Sequence, residues 1–429
     1  GNGGNGGNGG AGGNGGAGIS GASFTVINSG SIVGGAGGTA GTGGAGGSNN
    51  GSMPNGSVGA DGAYGAGGVG VISTGNAMVI NRGSIAGGLG ADGAQADAVN
   101  FSGGDNTLEI DAGYSFTGKV VSTSGATQGG DTFVLGGSTD ASFNVGDVGI
   151  VGSAAAFEGF ANVAKTGSST WTLTGTGNAS QAWTIADGTL LGSATSLVGS
   201  VHLAPATGDT AVVTFDQAQA GTFNGVVSGN GVMRKTGNAA LTLNGANTYS
   251  GGTALDAGTL VLGNASAIGS GTLAMAQNTT LNFTSGLTLS NAITLSGDPT
   301  INVNAGQATT LSGGISDGTQ SGDLVKTGTG TLVLTGTDTY TGSTEVAAGT
   351  LDVEGSLVSS VSVDGGATLI GGGSVGGMTV ASGSTVSPSG SAVGTLTVHG
   401  NASLAAGSMY QLDATDAGSD LIHATGAAT

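Results

Sequence analysis

His202, His399 and His423 are the side chains best suited to act as bases or metal ligands, and they lie far apart, with no His-x-His or His-Glu-x-x-His spacing. A lone imidazole among strand-forming residues reads as a surface or turn residue rather than a ligand. Serine hydrolysis needs a hydroxyl, a His base and an Asp that orients it, and the expectation is that neither a Gly-x-Ser-x-Gly elbow nor a Gly-Thr-Ser-Met-Ala-like segment marks such a site. Calcium coils require tandem nonapeptides that sandwich successive ions. Gly87–Gln95 (GGLGADGAQ) fits that nonapeptide loosely and Gly56–Tyr64 (GSVGADGAY) less well, and the two are isolated. The expected inventory is therefore no catalytic residue, no metal site and no cofactor. Lys165, Lys235 and Lys326 are three of only four lysines. They recur with the scaffold instead of converging on a pocket, so the expectation is that they mark coil edges and discourage edge-to-edge pairing. Trp171 and Trp183 read as core residues of an irregular coil, with an exposed aromatic platform for glycans as the alternative.

These residues are carried by an unusual chain. Of 429 residues, 96 are glycine and 4 are proline, and no three-residue period runs throughout, which excludes collagen and a polyproline rod. Six basic against 25 acidic residues give a net charge of −19, too little positive charge to neutralise a phosphate backbone, so nucleic acid is excluded as a partner. A disordered polyanion would also be poor in apolar residues, yet 37% of this chain is hydrophobic and it should fold. Without cysteine there is no disulfide and no thiolate chemistry. The chain opens in low-complexity sequence without a starting methionine, and is read as a fragment of a longer precursor.

Thr, Val, Ile and Gly dominate where helix formers would be needed, so many short strands and tight turns are expected. Residues 1–22 form a glycine-rich low-complexity segment, GNGGNGGNGGAGGNGGAG at its start, and read as a loose linker. A packed bundle of glycine helices is the alternative, opposed by the entropy that glycine loses on ordering. Residues 23–98 hold a first repeat, FTVINSGSIVGG (Phe24–Gly35) returning as AMVINRGSIAGG (Ala77–Gly88), with a glycine-rich excursion between the copies. Residues 99–370 carry three copies of a longer unit, 165–190, 235–260 and 326–351. After each Lys come an apolar–β-branched–apolar triplet (Trp171–Leu173, Leu241–Leu243, Leu332–Leu334) and a Gly-Thr-Leu (Gly188–Leu190, Gly258–Leu260, Gly349–Leu351). Period-two alternation places the apolar residues inward. One such unit cannot bury its own apolar face and must stack on the next, which predicts a solenoid of parallel strands.

The Lys235–Leu260 pattern, KTG…LTLNGANTYSGGT…AGTL, resembles the passenger-associated transport repeat of autotransporters. TYSGGT (Thr248–Thr253) and TYTGST (Thr339–Thr344) carry it, while the first copy departs from it over Asn178–Trp183. The tail, residues 371–429, is similar to the stretch that precedes the autotransporter barrel, with Ser387-Pro388-Ser389-Gly390-Ser391 in place of the family's Ser-Pro-Gly-Asn-Ser turn. The resemblance covers residues 99–429. It implies an all-β, elongated right-handed parallel β-helix whose last residues cap the solenoid. It also implies a bacterial surface or extracellular location, and a β-barrel translocator partner that lies outside this chain. The expected function is a non-enzymatic adhesin or stalk, its partner a host or bacterial surface ligand or a second copy. The alternative is an inert spacer carrying an upstream enzyme such as a subtilisin-like protease. A threonine face for ice or polysaccharide is a further reading, although the threonines form no long uninterrupted array in sequence.

Overall fold

The computed structural model describes residues 2–416 and 418–429. Among them there is no α-helix, only two single-turn 3-10 segments at Thr127–Gly129 and Val145–Asp147. No helix is long and apolar enough to cross a membrane. The chain divides into two compact units, Gly1–Thr176 and Gly177–Thr429. Each is a parallel β-helix.

In the second unit short strands stack in register, coil upon coil. Leu241 pairs with Leu260, Leu260 with Leu281, and Leu281 with Ile301. The same ladder continues through Lys326, Val346, Val363 and Val380. Every member of it is buried, and the alternate residues point outward, so each coil repeats one inward set. Hydrogen bonds between coils typically span 20 residues, as from Asn244 to Asn224 and from Asn247 to Ala267. Burying one Leu or Ile side chain in such a ladder contributes roughly 1.5–3 kcal/mol. Among the described strands of this unit one short pair is antiparallel, Ala414–Thr415 with Gly418–Ser419.

The first unit uses the same principle with wider coils. The two copies of the first repeat are stacked rungs: Val26 pairs with Val79 and Asn28 with Asn81, and the Asn28 amide donates to Asn81 Oδ1 at 2.8 Å across 53 residues. Leu108, Phe133 and Val163 extend that ladder. Phe133 anchors an aromatic cluster, its ring 4.7 Å from Phe157 and 5.1 Å from Phe143. Below the cluster the buried carboxylate of Asp131 accepts four hydrogen bonds. They come from the Asn106 backbone and side-chain nitrogens, both at 2.9 Å, and from the Ser122 and Ser124 hydroxyls at 2.7 and 2.8 Å.

The glycine segments depart from the linker expectation. Residues 3–18, 34–47 and 56–70 form three extended helices that hydrogen-bond to one another every third residue. Gly6, Gly9, Gly12 and Gly15 donate to the carbonyls of Ser57, Ala60, Ala63 and Ala66 at 2.8–2.9 Å, a parallel pairing. Gly35, Gly38, Gly41, Gly44 and Gly47 donate to Gly16, Gly13, Gly10, Gly7 and Gly4 at 2.8–2.9 Å, an antiparallel one. Gly59, Gly62, Gly65 and Gly68 close the triangle onto Gly44, Gly41, Gly38 and Gly35. Three residues per turn without internal hydrogen bonds is the polyproline II geometry. Side chains help from outside: Asn5, Asn8 and Asn14 accept from the amides of Ser57, Ala60 and Ala66. At Gly6 a Cβ would sit on the Gly44 carbonyl oxygen, so only glycine allows the approach. The ordering entropy that argued for a linker is offset because the segments run directly into stacked rungs, Ile19–Gly21, Ser31–Val33 and Val71–Ser73, and every triplet then gains bonds to both neighbours.

Candidate functional site

The repeated unit is built around its lysine. Lys165, Lys235 and Lys326 occupy inward ladder positions and are fully buried, which corrects their expected place at an exposed coil edge. Their stems pack among apolar neighbours, with Ile301 and Val346 on either side of Lys326. Their ammonium groups reach the turn that follows. Lys235 Nζ donates to the carbonyls of Thr236, Gly237 and Ala257 at 2.7, 2.7 and 3.0 Å. Lys326 Nζ donates to those of Thr327, Gly328 and Ala348 at 2.9, 2.8 and 2.9 Å. Three carbonyls match the three protons of an ammonium. Lys165 binds Thr166 and Gly167 in the same way, at 2.6 and 2.5 Å. Burial lowers the affinity of Lys235 for its proton and pushes Lys326 down to about 8. The Gly two residues after each Lys, typified by Gly237 at φ 72°, supplies the left-handed turn that aims the carbonyls inward.

A second internal device explains the TY–T spacing. The Tyr249 phenol lies 2.5 Å from Thr253 Oγ1, and Tyr340 lies 2.5 Å from Thr344 Oγ1, with both rings fully buried. Thr253 passes the network to the Ile268 carbonyl at 3.2 Å. Burial raises both phenols far above the ordinary tyrosine range. The first copy solves the same volume differently: Ala179 stands where the other two have Tyr, and the buried Trp183 stands where they have Thr.

The sequence profile of the passenger-associated transport repeat matches this unit three times, at residues 163–191, 233–262 and 324–353. The chain carries the repeat of autotransporter passengers. Passengers of this kind are delivered to the cell surface or the extracellular space, with a translocator barrel as the partner in export. No curated protein and no solved structure matches the passenger.

The side chains with catalytic potential are not gathered. His202 is exposed and meets the Ser228 hydroxyl at 3.0 Å, while His399 and His423 are exposed on other coils. Among the described residues no carboxylate hydrogen-bonds to His202, and no group of three or more His, Asp or Glu could hold a metal ion. The pattern Gly-x-Ser-x-Gly does occur, around Ser316 and Ser374, but both serines lie in strands rather than at a strand-to-helix turn. In the two calcium-like nonapeptides the aspartates serve the backbone: Asp92 accepts from Ala94 N at 3.0 Å and Asp61 from Gly43 N at 2.7 Å. Trp171 and Trp183 are core residues, and Trp171 Nε1 donates to the Gly136 carbonyl at 2.8 Å.

The outer surface of the passenger presents ladders instead. Thr331, Thr350, Thr368 and Thr385 stand in register on four consecutive rungs, and Thr259, Thr280 and Thr300 on three others. The sequence concealed these rows because coils of unequal length separate their members. Acidic residues line neighbouring positions: Asp352 lies one residue outside the apolar ladder, beside Glu354, and Glu345 lies beside Asp364.

Proposed function

We propose that the passenger acts as a non-enzymatic adhesin or stalk, binding through the flat outer faces of its coils. The observation that supports this reading is the in-register row Thr331–Thr350–Thr368–Thr385, a line of identical hydroxyl-bearing side chains at the coil repeat of about 4.8 Å. The lysines and phenols of the repeat are meanwhile committed to internal hydrogen bonds. Such rows suit a repetitive partner, whether glycans on another surface or the same face of a second copy.

The test is surface display on a neutral barrel, scored by cell–cell clumping and by attachment to host-cell and glycan-coated surfaces. Display above the empty barrel should give clumping or attachment, and a Thr350→Lys, Thr368→Lys variant displayed at equal density should lose most of it. No difference from the empty barrel would favour the alternative role, a spacer for a domain elsewhere in the precursor.

A further inference from the structure

Two buried carboxylates of this chain are provided for very differently. Asp131 accepts four hydrogen bonds. Asp338 is only 1% exposed and accepts one, from Ile315 N at 2.8 Å. Its counterpart in the second repeat, twelve residues after the lysine, is Asn247. That amide does two things: Oδ1 accepts from Val227 N at 2.7 Å, and Nδ2 donates to the Ala267 carbonyl at 2.5 Å. The third repeat keeps the acceptor and lacks the donor. A carboxyl group recovers a donor only when it is protonated.

We propose that the third repeat is a proton-operated clamp, with Asp338 protonation tightening the coils from Ile315 to Asp364 in mildly acidic medium. The groups facing Asp338 leave its charge uncompensated. From its own segment comes the neutral phenol of Tyr340, from the preceding coil the Ile315 amide, and from the following coil its apolar register partner Leu357. Asp323, which bears on the Tyr340 phenol together with Asp338, adds a second negative charge there. Among the described residues no Lys, Arg or His forms an ion pair with Asp338. Burial accordingly pushes its carboxyl up to about 6. Other acids of this repeat act in the same sense: Asp352, half-buried and crowded by Glu354, is also pushed up to about 6, and Glu345 beside Asp364 is raised.

The direction follows from linkage. A carboxyl that binds its proton more tightly in the folded chain stabilises fully below its unfolded value, about 4, and that stabilisation is lost as pH rises through about 6. Acid therefore closes the clamp and neutral pH loosens it.

The experiment is amide hydrogen exchange on the whole chain at pH 5.0 and 7.5, corrected for intrinsic exchange, comparing wild type, Asp338→Asn and Asn247→Asp. Residues 313–364 of the wild type should be protected about tenfold more at the lower pH. Asp338→Asn should raise the protection at pH 7.5 and shrink the pH difference to what Asp352 and Glu345 supply, and Asn247→Asp should create a pH dependence in residues 227–269. The proposal is overturned if Asp338→Asn keeps the wild-type pH difference or is less protected than wild type at pH 7.5. Should that variant fail to fold, an Asn247→Asp chain without pH dependence in the second repeat overturns it equally.

Discussion

The ammonium of Lys326 lies 2.9 Å from the carbonyl oxygen of Ala348, and that of Lys235 lies 3.0 Å from the carbonyl of Ala257. The bond ties the strand that opens each repeat to the turn that closes it, 22 residues on. A buried cation thus serves as an internal staple between two consecutive coils.

Removing the staple should be expensive. Lys326→Met retains the apolar stem but leaves the Thr327, Gly328 and Ala348 carbonyls without their donor, and an unsatisfied buried acceptor costs about 1–3 kcal/mol. Part of this is offset by relief of the buried charge, so a loss of about 2–4 kcal/mol is expected in denaturant unfolding at pH 7. Unchanged stability would show that the carbonyls find water instead.

The same lysine gives an alkaline signature. Its folded value is down to about 8, below the unfolded value of about 10.4, so between those limits the unfolded chain holds a proton that the folded chain has released. Stability from this group rises with pH across that window. Unfolding at pH 9.5 should require about 2 kcal/mol more than at pH 7.5 on account of Lys326, and Lys326→Met should lack that increment.

Five tyrosines are present, and the two in the TY–T motifs are sealed. Titration followed by phenolate absorbance should leave Tyr249 and Tyr340 silent well above the ordinary range, until the fold opens. Tyr340→Phe should cost about 1 kcal/mol, since Thr344 keeps its contact with Ser359 at 2.5 Å. Tyr340→Ala should cost about 3–5 kcal/mol through the cavity it leaves.

In the glycine bundle two neighbours should behave oppositely. A Cβ at Gly9 would sit on the Gly41 carbonyl oxygen, whereas at Gly10 nothing stands within 4 Å. Gly9→Ala should expose residues 3–70 to limited proteolysis while the second unit stays resistant. Gly10→Ala should be neutral or stabilise by up to about 1 kcal/mol by restricting the unfolded chain. Equal proteolysis of both variants would mean that the bundle is not held by backbone approach.

How much of this was legible depended on whether the signal was local. Alternation around Trp171–Leu173, Leu241–Leu243 and Leu332–Leu334 announced the strands, and the repeated Val-Ile-Asn of residues 26–28 and 79–81 proved to be two stacked rungs. The lysines were misplaced because a charge is ordinarily exposed, and only the turn geometry reveals three carbonyls waiting for it. The glycine bundle stood only as the alternative because each segment alone has no reason to order; its partners lie on the other two segments, as from Gly59 to Gly44 and from Gly6 to Ser57. Asp338 was hidden for a third reason. An Asp in a Thr-Asp-Thr-Tyr string looks like a turn residue until its counterpart in the second repeat, Asn247, shows what the position requires.

The three glycine segments share one bookkeeping unit, the triplet. A single-residue insertion in any of them would carry an Asn, Ala or Thr side chain into the place where Gly6 meets Gly44, and would shift every later bond out of phase. Lineages of this protein are therefore free to lengthen or shorten the structure only in quanta of three residues, about 9 Å each, made in all three segments together. Size in this region is digital, while the coils of the helix, with loops of unequal length, can drift continuously.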